Sequence, residues 1–242
     1  MNITQTIAGM IRAVGHSSAA LLWPPYCLTC DALLQEEERL VCEICWRTFR
    51  PLRGGIALHK SDLHTVGRVY FDGAKALYEY TDRSLTLIHS LKYDRKPLLA
   101  GPIGRALADV INQQAALRNC DYLLPVPLHP ARQRERTYNQ SHLLAVAACP
   151  KKVPDHEIFH RIRDTRAQAG LPREQRLANI QDSFAVPDPD IISGKSILLL
   201  DDVMTTGLTM NECAKTLKQS GAAQVQCIAV IHPPLEHDQG PF

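Results

Sequence analysis

Apolar and polar positions alternate regularly from about residue 66 towards the end of the chain. Short apolar runs predict buried strands at residues 74–80, 122–126, 197–203 and 225–231. Apolar side chains at helical spacing predict helices at residues 84–91, 103–117 and 141–148, and one more that contains Met210, Cys213, Ala214 and Leu217. Apolar strands that alternate with amphipathic helices are typical of a parallel sheet covered on both faces. The pattern therefore predicts an α/β fold with a parallel sheet.

The apolar positions of the first two helices also predict which face of each helix is buried. The predicted inward positions are Leu85, Ile88 and Leu91 in the first helix, and Ile103, Leu107, Val110 and Ile111 in the second. We expect each of these sets to form one apolar face of its helix.

The first 65 residues follow a looser pattern. Residues 5–23 predict a short amphipathic helix, whereas residues 47–55 are basic and turn-rich and predict a linker. We expect an N-terminal module within residues 1–55 and an α/β domain over residues 66–242. The chain contains no run of roughly 18–20 apolar residues and no basic start of a signal peptide, so we expect a cytoplasmic protein without a membrane span.

Composition and charge narrow the classes of protein further. The chain has 242 residues, of which 45% are hydrophobic, so it can bury a core, and its net charge of +2 argues against a chain that coats nucleic acid. The charge is unevenly spread: residues 129–181 hold ten Lys or Arg and five Asp or Glu, and residues 182–242 hold three and eight. This split could steer a phosphate-rich, metal-bearing ligand into a cleft, or could reflect two solvated faces.

Four of the eight cysteines form a spaced cluster. Cys27, Cys30, Cys42 and Cys45 give the pattern C-x2-C-x11-C-x2-C. Each C-x2-C pair forms a short turn, or knuckle, and two knuckles can complete a tetrahedral four-sulfur Zn²⁺ site. Four Cys ligands leave no open coordination position, which indicates a structural metal. A pair of disulfides would need an oxidising compartment, and a redox function would use only one knuckle. We expect the other four cysteines to be small buried hydrophobic residues.

The strongest candidate for a ligand site follows the predicted strand at residues 197–203. Asp201 and Asp202 end this strand, and the turn Thr205-Thr206-Gly207-Leu208-Thr209 leads into a helix. Ligands of parallel sheets bind beyond the carboxyl ends of the strands, and backbone N–H groups at a helix start suit a phosphate. The two acids could accept bonds from sugar hydroxyls or hold Mg²⁺ through water. Alternatively, they merely cap the following turn.

This segment resembles the phosphoribosyl pyrophosphate (PRPP) binding motif of type I phosphoribosyltransferases. The resemblance implies a parallel sheet, Mg²⁺, and displacement of pyrophosphate from the anomeric carbon of the ribose. The rest of the chain is similar to the ComF/GntX family, which joins a zinc-ribbon start to such a domain. The similarity includes Pro125-Val126-Pro127-Leu128-His129-Pro130, then Arg132, Arg134, Arg136, Tyr138, Asn139 and Gln140, and a second signature with Arg163, Thr165, Gln168, Leu171, Arg176, Asn179 and Phe184.

The resemblance also implies roles for individual residues. Arg132, Arg134 and Arg136 would contact the pyrophosphate, with Arg136 preferred as a catalytic residue, and the charges of Asp201 and Asp202 would favour the cationic ribose. The PRPP-binding set would further include the turn at residues 205–209, and Gln168 and Arg176 from a loop that could close over the site. The family favours Gly where this chain has Thr137, which puts the loop geometry in question if that position needs a positive φ.

Two more residues could reach the same cleft. Lys92 and Tyr93 follow the first predicted helix. We expect Lys92 to lie along the surface with its ammonium group in water.

Two functions follow from this interpretation. The first is a PRPP-dependent phosphoribosyltransferase with an unidentified acceptor, in a family associated with competence and the use of external DNA. The second is a non-catalytic accessory module that binds single-stranded DNA or a DNA-transport helicase and keeps the nucleotide pocket for regulation. The acids and the glycine-threonine turn favour the first, and the zinc ribbon favours a partner-binding role. Binding of PRPP is common to both.

Overall fold

The structure is a computed structural model that describes residues 25–49, 51, 68–154, 158–164 and 178–232. The chain divides into two compact units, Met1–Phe49 and Arg50–Phe242. The predicted helix at residues 5–23 lies outside the described residues, as do Gln168 and Arg176.

The described part of the first unit, residues 25–49, contains short β-bridges and one helix. Tyr26 pairs with Leu33 and Arg39 with Val41, both antiparallel. Helix α1 covers Glu43–Thr48, so residues 47 and 48 are helical and the predicted linker begins too early. The Cys42 thiol caps this helix by accepting from the Cys45 N–H, a local bond that the turn-rich composition does not reveal.

The second unit is built on a four-stranded parallel sheet. Its strands are β1 (Gly73–Glu79), β2 (Tyr122–Pro125), β5 (Ser196–Val203) and β6 (Gln224–His232), and a separate antiparallel pair consists of β3 (His160–Arg161) and β4 (Phe184–Ala185). The sheet order is β1-β6-β5-β2, and all three pairings are parallel. The predicted parallel α/β fold is therefore confirmed, and the carboxyl ends of all four strands meet at one edge.

Helices connect the strands of this sheet. They are α2 (Asp82–Lys92), α3 (Ala100–Gln113), α4 (Ala115–Arg118), α5 (Pro130–Arg136), α6 (Gln140–Ala148) and α7 (Leu208–Gln219), with 3₁₀ turns at Pro97–Leu99, Pro150–Lys152 and Pro189–Ile191. The predicted face of α7 is confirmed, because Met210, Cys213, Ala214 and Leu217 are all buried. Within the described ranges, none of the helices is long and apolar enough to cross a membrane.

Two helix predictions need correction. The buried face of α2 contains Ser84, Leu87, Ile88 and Leu91, whereas Leu85 is only half-buried. The hydroxyl of Ser84 donates to the Glu79 carbonyl (2.9 Å), which lets a polar residue occupy an inward position and shifts the face by one residue. The predicted helix at residues 103–117 is interrupted at Gln114, whose backbone is extended, and Val110 is half-buried.

Three of the remaining cysteines behave as predicted. Cys120, Cys213 and Cys227 are buried, and Cys149 is half-buried. Burial raises the pKa of each of these four thiols, which keeps them neutral and consistent with packing positions.

Candidate functional site

A pocket of about 430 Å³ opens where the strands of the second unit end. Its lining comes from the end of β5 and the following turn, from α2, from the segment after β2, from α5 and from the start of α6. The lining includes most of the site residues that the sequence predicts: Asp201, Asp202, Thr205, Thr206, Gly207, Leu208, Thr209, Arg132 and Arg136. Residues from the basic segment and from the acidic segment of the chain therefore line one cavity.

The turn between β5 and α7 forms one side of the pocket. Gly207, the residue before α7, has a left-handed backbone (φ 72°, ψ 0°) and is buried. No side chain caps α7 in the part of the chain that the structure describes. Because the first N–H groups of a helix lack intrahelical partners, this turn offers backbone donors to an anion.

The two acids at the end of β5 are held by partners from other elements. Lys92, at the end of α2, forms an ion pair with Asp202 (Nζ to Oδ1, 2.7 Å), and the two side chains are only 17% and 4% exposed. The predicted surface position of Lys92 is thus wrong. Ser141 Oγ donates to Asp201 Oδ1 (3.0 Å), and the Asp202 N–H donates to the same oxygen (2.9 Å).

The environment of these acids disfavours two full negative charges. Burial and the neighbouring Asp202 charge raise the pKa of Asp201 to about 7, although Lys92 and the hydrogen bonds from the Asp202 N–H and Ser141 act in the opposite direction. Asp202 Oδ2 is buried and has no hydrogen-bond partner among the described residues. The pocket therefore contains a carboxylate oxygen that can accept a hydrogen bond or a cation from a ligand.

Arginines contribute positive charge to the pocket lining. Arg132 and Arg136 are one helical turn apart on α5, and Arg161 of β3 also lines the pocket. Arg136 stacks over the Tyr93 ring (5.1 Å to the centroid) and donates from Nη2 to its hydroxyl (3.2 Å). Because this stacking fixes the planar guanidinium, Arg136 is oriented before any ligand arrives.

The structure places Arg134 elsewhere. Arg134 lies with Pro130, Gln133 and Thr137 at a separate shallow depression and does not line the main pocket. At 100° per residue, a position two residues from Arg132 and Arg136 points to the other side of α5. The predicted contact of Arg134 with pyrophosphate therefore has no support in the geometry.

Thr137 does have a positive φ, the conformation that glycine adopts most readily. Its backbone is left-handed (φ 71°, ψ −25°) and ends α5, and its hydroxyl donates to the Arg136 carbonyl. This conformation costs a β-branched residue free energy that glycine would not pay. Thr137 thus adopts the left-handed backbone itself, although threonine disfavours it.

Several residues of this site are not predicted from the sequence. Arg161, Ser141 and the aromatic Tyr80 and His89 touch the pocket or its acids, and none of them belongs to the predicted set. Each comes from an element far along the chain from β5, so no local motif marks them.

The four clustered cysteines converge in the first unit. Their Sγ atoms all lie within 4.8 Å of one another, and those of Cys30 and Cys42 are 3.8 Å apart. A tetrahedron with Zn–S bonds of about 2.3 Å has sulfur–sulfur edges of about 3.8 Å. The cluster therefore has the size and donor set of a four-sulfur metal site.

Comparisons with known proteins agree with this geometry. Residues 150–239 match the family described as the phosphoribosyl transferase domain. The DNA utilization protein YhgH of Salmonella typhimurium (strain LT2) is 29% identical over 219 residues, which cover 84% of this chain and 95% of that protein. Competence protein F of Haemophilus influenzae is 34% identical over 107 residues, which cover 43% of this chain and 47% of that protein.

Solved structures show a more distant likeness. The glutamine PRPP amidotransferase from B. subtilis is 14% identical, with a TM-score of 0.36, over 58% of this chain and 30% of that chain. The present chain thus spans about a third of that enzyme. The fold assignment rests instead on the strand order and parallel register described above.

Proposed function

From the premise that this chain is a homologue of YhgH and competence protein F with a phosphoribosyl transferase domain, we propose that its pocket binds PRPP and positions it for transfer of the phosphoribosyl group to an acceptor. One observation carries the proposal. A single cavity joins the start of a helix that no side chain caps in the described residues, two adjacent carboxylates and the arginines of α5. A phosphorylated sugar with a pyrophosphate leaving group offers a complement to each of these groups.

The phosphate on the sugar would bind at the turn before α7. The N–H groups of residues 205–209 and the hydroxyls of Thr205, Thr206 and Thr209 can donate to its oxygens. Gly207 lets the backbone approach closely because it carries no Cβ.

The pyrophosphate would bind on the side of the arginines. Arg132 and Arg136 offer planar donors that suit phosphate oxygens, and negative charge builds up on the leaving group as the bond to the ribose breaks. We assign Arg136 to stabilise that charge, since its stacking on Tyr93 already orients it. Electrostatic stabilisation of this kind acts most strongly in a pocket that excludes water.

The ribose would lie next to the two acids. Asp201 and Asp202 can accept from its hydroxyls, and their negative charge favours the positive charge that develops on the ring. The Lys92 ammonium, which pairs with Asp202, offsets part of that charge.

The residues present fit a divalent cation that arrives with the pyrophosphate. Asp202 Oδ2 is a buried carboxylate oxygen without a partner in the described part of the chain, and oxygen is the ligand that Mg²⁺ prefers. Bound Mg²⁺ would supply positive charge to the leaving group. We propose separately that the four cysteines hold a structural Zn²⁺.

Titration of the full chain with PRPP and Mg²⁺ tests the proposal. Ligand at about a hundred times its Kd raises the melting temperature of a chain of this size by about 5–10 °C. We expect this shift in the wild type and its loss in Asp201→Asn/Asp202→Asn. Asp201→Asn alone serves as a second variant, because it leaves the Lys92–Asp202 ion pair intact.

The double variant Asp188→Asn/Asp190→Asn is the matched control. Both residues are exposed, and they lie at the 3₁₀ turn Pro189–Ile191, which does not line the pocket. This control should keep the full shift. Absence of a shift in the wild type, or an unchanged shift in both site variants, would refute PRPP binding at this pocket.

Release of pyrophosphate separates turnover from binding. The names of the two relatives refer to DNA utilization and competence. We therefore propose that the acceptor is DNA or one of its breakdown products. The measurement is pyrophosphate release from PRPP in the presence of each nucleobase in turn. Binding without release for any acceptor would favour a regulatory pocket.

A further inference from the structure

Gln140 is a buried residue of the pocket lining, and its amide oxygen has no hydrogen-bond partner among the described residues. The residue begins α6, is 3% exposed and lines the pocket. In the part of the chain that the structure describes, no group donates to its Oε1. A buried carbonyl oxygen without a donor costs about 1–3 kcal/mol, so its presence in the free protein calls for a physical reason.

The neighbours of Gln140 hold it at this place. Asn139 caps α6 by accepting from the Ser141 N–H (2.9 Å), and its Nδ2 donates to the Val126 carbonyl (3.1 Å). On the other side, Ser141 Oγ donates to Asp201 (3.0 Å). The backbone of Gln140 is thus tied to the segment after β2 and to the end of β5, so the start of α6 is fixed at the pocket.

The chemistry of the unmet atom limits what can satisfy it. Gln140 Oε1 and Asp202 Oδ2 are both buried hydrogen-bond acceptors without a partner in the described residues, and both residues line the same pocket. Mg²⁺ that arrives with pyrophosphate can bind the Asp202 carboxylate, but ionised phosphate and pyrophosphate oxygens are acceptors themselves and cannot donate a hydrogen bond to either atom. A sugar hydroxyl can, because it carries an O–H donor.

We propose that Gln140 accepts a hydrogen bond from a hydroxyl of the bound phosphorylated sugar and so selects a sugar over free pyrophosphate. The proposal rests on the proposed function and names a further residue that determines its specificity. It goes beyond the resemblance stated above, which includes Gln140 in the similar stretch of sequence and gives the contacts with pyrophosphate to the arginines. The unsatisfied oxygen lowers the stability of the protein without ligand and adds a hydrogen bond to the complex. Its removal should therefore raise the melting temperature and weaken sugar binding.

The test uses Gln140→Met in the full chain, because Met has a similar length and no hydrogen-bonding amide. Removal of an unsatisfied buried carbonyl should raise the melting temperature by about 2–4 °C. Isothermal titration with three probes then measures binding: PRPP with Mg²⁺, ribose 5-phosphate, and pyrophosphate with Mg²⁺. We expect the Kd to rise about five- to tenfold for the two sugars and to stay within about twofold for pyrophosphate.

Gln133→Met is the matched control, since Gln133 is an exposed glutamine on α5 that does not line the main pocket. It should change neither stability nor any Kd. An equal loss of pyrophosphate binding in Gln140→Met, or unchanged binding of all probes with a lower melting temperature, overturns the proposal and makes Gln140 a pyrophosphate ligand or a packing residue. A wild type that binds none of the probes refutes the proposed function itself, whereas failure of the Gln140 proposal alone leaves wild-type binding intact.

Discussion

The turn before α7 and the turn after α5 adopt nearly the same backbone conformation with different residues. Gly207 has φ 72° and Thr137 has φ 71°. Glycine takes this left-handed conformation without steric cost, whereas an ordinary L-residue pays about 1–2 kcal/mol. Gly207 is buried and lines the pocket, and Thr137 is exposed and lies outside it.

This difference shows where the chain tolerates conformational cost. In the proposed complex, the backbone next to the acids approaches the phosphate closely, which favours a residue without Cβ. Next to the arginines, the side chains of Arg132 and Arg136 reach into the pocket, and the strained residue lies behind them. We call the part of the pocket around Asp201, Asp202 and the turn before α7 the acid side, and the part around Arg132 and Arg136 the arginine side. The acid side requires a particular residue type in its backbone turn, whereas the arginine side depends only on its side chains.

Removal of the Lys92 ammonium should give the largest effect on the acid side. Lys92→Met leaves the buried Asp202 carboxylate without its ion-pair partner. Because a buried charge that loses its partner is costly, we expect the free energy of unfolding to fall by about 3 kcal/mol at neutral pH. Chemical denaturation of the full chain measures this, and Lys92→Met/Asp202→Asn should recover more than half of the loss.

Lys218→Met is the matched control, because it removes an ion pair that is more exposed. Lys218 Nζ lies 2.8 Å from Asp72 Oδ2, and the Asp72 side chain is 39% exposed. A pair of this exposure contributes at most about 1 kcal/mol, because water screens it. If both lysine variants lose the same stability, the acid side has no special dependence on its buried cation.

A methyl group at Gly207 should separate backbone strain from ligand contact. Gly207→Ala should lower the free energy of unfolding by about 1 kcal/mol and weaken PRPP binding at least about tenfold, because its Cβ blocks the approach of the phosphate. Gly194 has a similar φ of 69°, and a Cβ there would meet nothing within 4 Å. Gly194→Ala should therefore lose similar stability and keep normal binding; weakened binding in both would disprove the phosphate role of the turn.

The acid side could be predicted from sequence because its signals are local. An apolar strand, two acids and the residues 205–209 follow one another directly, so β5, the turn and the start of α7 were predicted within two residues. The parallel sheet followed from the same apolar runs. Patterns of this kind depend on the backbone period and need no knowledge of distant partners.

The rest of the site depends on contacts between distant residues. Ser141 and Asp201 are 60 residues apart in the sequence, and no spacing rule connects them. Lys92 looked like a surface lysine because its partner comes from another element. Arg134 was grouped with its neighbours because α5 has no apolar periodicity that would have marked the residues 130–136 as a helix with two different faces.

Relief of the strain at Thr137 should give the smallest effect, and in the opposite direction. Thr137→Gly removes the cost of the left-handed backbone but loses more entropy on folding, so we expect a net gain of only about 0.5 kcal/mol in the free energy of unfolding. PRPP affinity should not change, because Thr137 does not line the main pocket. A loss of stability would show that the Thr137 hydroxyl, which donates to the Arg136 carbonyl, outweighs the backbone strain. In that case the arginine side would owe its geometry to this hydrogen bond, and the contrast with Gly207 would lie in side-chain bonding and not in backbone cost.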